Sequence, residues 1–149
     1  MKKIKVLIKN KSDDLCIIWC LLAYKYYNTI THNKKSEVST YKKYFDEIIQ
    51  PEDIKYPIDI QNDIPKFEKL NNIKINVFIY NGSYEEDYDR NKITILYNNM
   101  DRNENTINLL LLEDENKEHF VWIKDLSKLM CTHKHKKKKL VLSMFELFT

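Results

Sequence analysis

Asp13-Asp14-Leu15-Cys16-Ile17-Ile18-Trp19-Cys20-Leu21-Leu22-Ala23 is the one long apolar run of the chain, and it opens on two carboxylates. Its first half is apolar on every side of a helical wheel, which predicts a central buried helix over about residues 14–28. The polar turn Asn10 to Asp14 precedes it, and Ser12 or Asp13 is the natural N-cap. At this length the run is too short to span a bilayer.

Upstream, Ile4, Val6 and Ile8 alternate with lysines, the pattern of a half-buried strand over residues 2–9. Downstream, residues 29–40 read as a loop. Val38, Tyr41, Phe45 and Ile48 or Ile49 then recur at helical spacing from Glu37 to Ile49, where Pro51 ends the pattern. Ile54 to Ile60, with Pro57 inside, is extended. Asn62 or Asp63 caps a short helix over Ile64 to Leu70 that carries Pro65 in its first turn.

From residue 73 the period changes to two. Ile73–Tyr80, Ile93–Tyr97, Ile107–Leu112 and His119–Lys124 read as strands, and the apolar run Ile107–Leu112, interrupted only by Asn108, predicts burial on both faces. Asp125 to Met130 is a capped helical turn. Helices first and strands after predict an α+β domain, a central N-terminal helix packed on a mainly antiparallel sheet of four to five strands.

The 149 residues suit one domain with a real core. We read residues 1–131 as that domain and 132–149 as a basic tail with a short apolar end. Net charge is only +3, but His133 to Lys139 holds much of the excess. Lys134, Lys136, Lys137, Lys138 and Lys139 are therefore candidate nucleic-acid contacts, with a solvated tail as the plainer reading. Three cysteines, at 16, 20 and 131, argue against a disulfide framework and for a reducing compartment. With no signal peptide visible, an intracellular protein of cytoplasm or nucleus is expected, without membrane attachment.

Two residues carry candidate chemistry. Cys16, in the first turn of a buried helix, would face unpaired N–H groups and the positive dipole end, which lowers a thiol pKa. Those N–H groups can also stabilise an oxyanion. His119, at a strand start, is a candidate general base. The plainer alternatives are a small buried hydrophobe for Cys16 and a surface histidine for His119. Cys20, Trp19 and Trp122 read as core, and Trp122 lies on the strand face opposite His119. Asp125 lies six extended steps from His119, about 20 Å, and is better read as an N-cap. Cys131, His133 and His135 cannot close a structural zinc site without a further ligand, so no metal and no cofactor is expected.

Asp13-Asp14-Leu15-Cys16-Ile17-Ile18-Trp19 resembles the nucleophile motif of ovarian-tumour-type (OTU) cysteine proteases, with Asp14 where those enzymes usually carry Gly. His119-Phe120 resembles their His-aromatic strand start. The resemblance implies a papain-like fold, with Cys16 as nucleophile, His119 as base and Asp13 as the third member, for which Asn108 and Glu113 on the neighbouring strand or its turn are the other candidates. Asn10 stands where papain-like enzymes place an oxyanion donor, although a turn residue is the plainer reading. A peptide or ubiquitin-like protein would be the substrate.

A second resemblance covers most of residues 4–130. Asn10-x-x-Asp13-x-x-Cys16-x-x-Trp19, Asp63-Ile64-Pro65-Lys66-Phe67-Glu68-Lys69-Leu70, Ile107-Asn108-Leu109-Leu110-Leu111 and His119 to Leu129 carry it. The chain is similar to a domain of Polinton/Maverick-type mobile-element proteins. There the domain precedes a C2H2-like zinc finger and often a family B DNA polymerase. Here Leu140 to Phe145 holds no cysteine, so the finger is lost or truncated. That resemblance implies the alternative function, a non-catalytic accessory module binding nucleic acid or protein.

Overall fold

The computed structural model describes residues 5–6, 14–82, 89–98, 106–114 and 117–129. It is an α+β domain. The apolar run forms helix α1 (Cys16–Tyr26), continued by a 3-10 turn over Tyr27–Thr29. Every residue from Cys16 to Ala23 is buried, as a helix without a polar side requires. Leu15 occupies the N-cap position, so the helix starts later than the caps Ser12 or Asp13 predict, and both of those lie outside the described residues.

The predicted single helix from Glu37 to Ile49 is instead a turn of α-helix, α2 (Val38–Tyr41), running into 3-10 winding over Lys42–Glu47. Side-chain ties act on Thr40, Tyr41 and Tyr44 here. Thr40 Oγ1 donates to the Lys34 carbonyl at 2.6 Å, Tyr41 Oη donates to that of Lys35 at 2.5 Å, and the Tyr44 ring stacks on Tyr26 at 3.8 Å. The tighter winding that follows needs only i→i+3 bonds.

Helix α3 (Ile60–Asn71) begins one turn before the predicted start. Its cap is Asp59, which accepts the N–H groups of Gln61 and Asn62 at 3.0 and 3.2 Å, while Asp63 takes the N–H of Asp59 at 2.8 Å. Asp63 therefore closes the cap from inside the helix rather than opening it. Asn72 ends the helix in the left-handed region at φ 51°, a conformation asparagine tolerates well.

The strands are β1 (Lys5–Val6), β2 (Lys74–Tyr80), β3 (Ile93–Tyr97), β4 (Thr106–Asp114) and β5 (Lys117–Ile123), followed by α4 (Leu126–Leu129). They form one mixed sheet in the order β1-β5-β4-β2-β3. The β2–β4 pair is parallel and the other three are antiparallel. β4 is buried on both faces, as its unbroken leucines predict.

One face of the sheet, with Ile75, Val77, Leu109, Leu111, Phe120 and Trp122, packs on α1 and on Ile64 and Phe67 of α3. The other face, with Phe78, Tyr80, Leu110, Leu112, Val121 and Ile123, packs with Leu126 and Leu129 of α4. As expected, Asp125 caps α4, accepting the N–H of Lys128 at 3.0 Å. Among the described residues, no helix is long and apolar enough to cross a membrane.

Candidate functional site

Cys16 is the first residue of α1 and is 7% exposed. Directly beneath it in the helix, the Leu15 carbonyl takes the N–H groups of Ile18 and Trp19 at 2.9 and 3.2 Å. One turn on, the buried thiol of Cys20 donates to the Phe120 carbonyl of β5 at 3.3 Å. Further along, the rings of Tyr24 and Tyr27 meet Trp122 edge-on at 5.8 and 5.7 Å. Helix α1 thus runs in the same direction as β5. Cys16 lies one turn back from Cys20, about 6 Å along the axis. His119 lies one residue back from Phe120, about 3.4 Å along the strand. The two main-chain positions belong to the same end of the α1–β5 pair.

The side chains take different faces. In the β4–β5 ladder His119 pairs with Leu112 and Phe120 pairs with Leu111, without a register shift. Cross-strand partners share a face, so the 8%-exposed His119 sits on the side of Leu112 and Val121. Cys16 belongs to the core on the other side, with Phe120 and Trp122. Asp13 and Asn10 lie outside the described residues, as do Lys134, Lys136, Lys137, Lys138 and Lys139. Cys131, His133 and His135 lie outside them too.

Burial pushes the Cys20 thiol well above its ordinary value, and the nearby Cys16 adds to the shift, while the Trp122 backbone N–H works against it. Cys20 therefore stays protonated and is a permanent donor to β5. Among the described residues, no group of three His, Cys, Asp or Glu is arranged to hold a metal ion.

A second constellation, absent from the sequence reading, surrounds the C-terminal end of α1. The Lys35 and Lys124 ammonium groups both lie over the Tyr27 ring, at 4.7 and 4.8 Å from its centre. Lys25 lies over Tyr26 at 5.3 Å and Lys43 over Tyr44 at 5.0 Å, and those two rings are stacked on each other. Lys25 also pairs with Glu47 at 3.3 Å. The runs Tyr24-Lys25-Tyr26-Tyr27 and Lys42-Lys43-Tyr44 were the available signal, but Lys35 and Lys124 join them only through the fold.

Comparison with protein-family models, with curated proteins and with solved structures gives no match to this chain.

Proposed function

We propose that this domain is a non-catalytic binding module, the kind of accessory unit that its resemblance to polymerase-associated mobile-element domains implies. The observation that carries the reading is the ladder register of β5. It assigns His119 to the face of Leu112 and Val121, while Cys16 is built into the α1-side core. A thiol held among aliphatic side chains and a buried imidazole on the far face are both explained as packing. The lysine–tyrosine surface at the other end of α1 is the feature that suits binding.

One observation favours a second reading, a papain-like cysteine hydrolase acting on peptide or isopeptide bonds. The same-direction run of α1 and β5, pinned by Cys20 and Phe120, brings the helix start and His119 to one end. In that reading Cys16 loses its proton to His119 and attacks the carbonyl. The amine leaves with that proton, and water then cleaves the thioester. The imidazole would have to reach across from the far face of the sheet to do so.

Peptide aldehydes and a ubiquitin-like protein with a C-terminal electrophile separate the two. The binding reading expects no adduct on Cys16 in the folded protein. A stoichiometric adduct on Cys16 that vanishes in His119→Ala establishes the hydrolase instead.

A further inference from the structure

The lysines around the end of α1 are arranged in a way that their own packing does not require. Lys35 and Lys124 come from different elements, a loop and the residue after β5, yet their ammonium groups meet at one ring. They are no more than about 10 Å apart, the Debye length at 0.1 M salt, so they repel each other. Among the described residues neither has a carboxylate partner, and nor does Lys43. Lys25–Tyr26 and Lys43–Tyr44 join sequence neighbours, but Lys35 and Lys124 are brought to Tyr27 only by the fold.

Capping of α1 does not account for this arrangement. The last carbonyls already have donors, since Thr29 Oγ1 bonds the Tyr26 carbonyl at 2.7 Å and Ile30 N–H bonds that of Tyr27 at 3.3 Å. The lysines are not needed to satisfy the helix end. They are also held in place before any ligand arrives. The backbone of Lys34 and Lys35 is tied to α2 by Thr40 and Tyr41, and Lys124 follows directly on the paired strand end Ile123.

We infer that this surface binds the phosphodiester backbone of single-stranded nucleic acid, with Lys35, Lys43 and Lys124 as phosphate contacts and the Tyr26–Tyr44 stack as the aromatic platform. Lysines without a carboxylate partner, two over the buried Tyr27 ring and one over the half-buried Tyr44 ring, are the chemistry that such strands select. Backbone charge is tracked by lysines, and unstacked bases find an aromatic face. A duplex hides its base faces, so the tyrosines give it nothing. The inference rests on the binding-module reading and names its partner. It uses none of the residues 134–139.

The test is fluorescence anisotropy of the full chain with a labelled single-stranded oligothymidylate of about 15 nucleotides, within the span of one site. The triple variant Lys35→Gln/Lys43→Gln/Lys124→Gln is compared with a control pair on α3, Lys66→Gln/Lys69→Gln, with circular dichroism confirming that both fold. At about 50 mM salt the triple variant should bind at least about tenfold more weakly, and its salt slope should fall by about 2. The control pair should bind as the parent does. No binding by the parent, equal losses in both variants, or loss only on substitution of Lys134, Lys136, Lys137, Lys138 and Lys139 would each overturn the inference. The electrophile experiment on Cys16 answers the catalytic question separately, whatever the oligonucleotide does.

Discussion

The thiol of Cys20 donates to the main-chain carbonyl of Phe120, joining the central helix to the middle of β5 at 3.3 Å. This bond marks the offset at which α1 packs along the strand, together with the contacts of Tyr24 and Tyr27 on Trp122. Because burial keeps the thiol protonated, the donor persists across the physiological pH range. Cys20→Ala removes it, orphans one buried carbonyl and leaves a small void. We expect a loss of about 1–2 kcal/mol in urea unfolding. An unchanged midpoint would mean that the bond does not anchor the helix.

Glu68 performs a comparable task for α3. Its buried carboxylate takes the Ile75 N–H at 2.9 Å and the hydroxyl of Tyr97, tying α3 to β2 and β3. Glu68→Ala should lower stability by about 2–3 kcal/mol, because it leaves buried donors without that acceptor. Tyr97→Phe should lower it less, since the carboxylate keeps its backbone donor. The order of the two urea midpoints checks the assignment.

Tyr41, Tyr56 and Tyr97 predict how the fold fails in alkali. Each is pushed from 10.0 up to about 12, mainly by burial; Tyr27 adds to the shift of Tyr41, Asp63 to that of Tyr56 and the Glu68 bond to that of Tyr97. Above pH 10 the unfolded chain gives up these protons while the folded chain keeps them. The unfolded state then binds fewer protons, so stability falls as pH rises. Their contribution is full below pH 10 and declines from there toward about pH 12. Urea midpoints measured from pH 8 upward should be level with respect to these groups and then drop, and a level line through pH 12 would contradict this.

The β4–β5 ladder contains an unfavourable pair. Glu113 and Glu118 are cross-strand partners, and both side chains are exposed. Burial, and then the charge of Glu113, raise the Glu118 carboxyl above its ordinary value. A raised carboxyl favours the folded state only at acidic pH and loses that advantage as the group ionises. Glu113→Lys should therefore stabilise the protein at pH 7 by roughly half a kcal/mol, and less at high salt. Thermal melts at two salt concentrations read both effects.

Much of the architecture was legible because local pattern and burial agree. The apolar run at Cys16 had to be central, and Leu109–Leu112 had to be buried on both faces, since neither offers a polar side to solvent. The start of α3 was misread because Asp59 lies just after Pro57 in a stretch that looks extended, while Asn62 and Asp63 offer equally good capping chemistry. Thr40 and Tyr41 are tied to the Lys34 and Lys35 carbonyls and Tyr44 stacks on Tyr26, contacts that hydrophobic spacing does not encode.

The candidate site was legible in part for the same reason. Alternation along β5 separates His119 from Trp122, but which face meets α1 is decided by packing. The lysine–tyrosine cluster was hidden because a long flexible cation chooses its ring only after distant elements have docked. Lys124 and Tyr27 are nearly a hundred positions apart in sequence, yet they meet at 4.8 Å.

The rate at which iodoacetamide modifies Cys16 in the folded protein, in the parent and in His119→Ala, tests the account most directly. The binding reading predicts slow modification of Cys16 and Cys20 alike, with no effect of removing the imidazole. Rapid alkylation of Cys16 at neutral pH that slows at least about tenfold in His119→Ala would show a thiolate activated by that histidine, and would contradict the account.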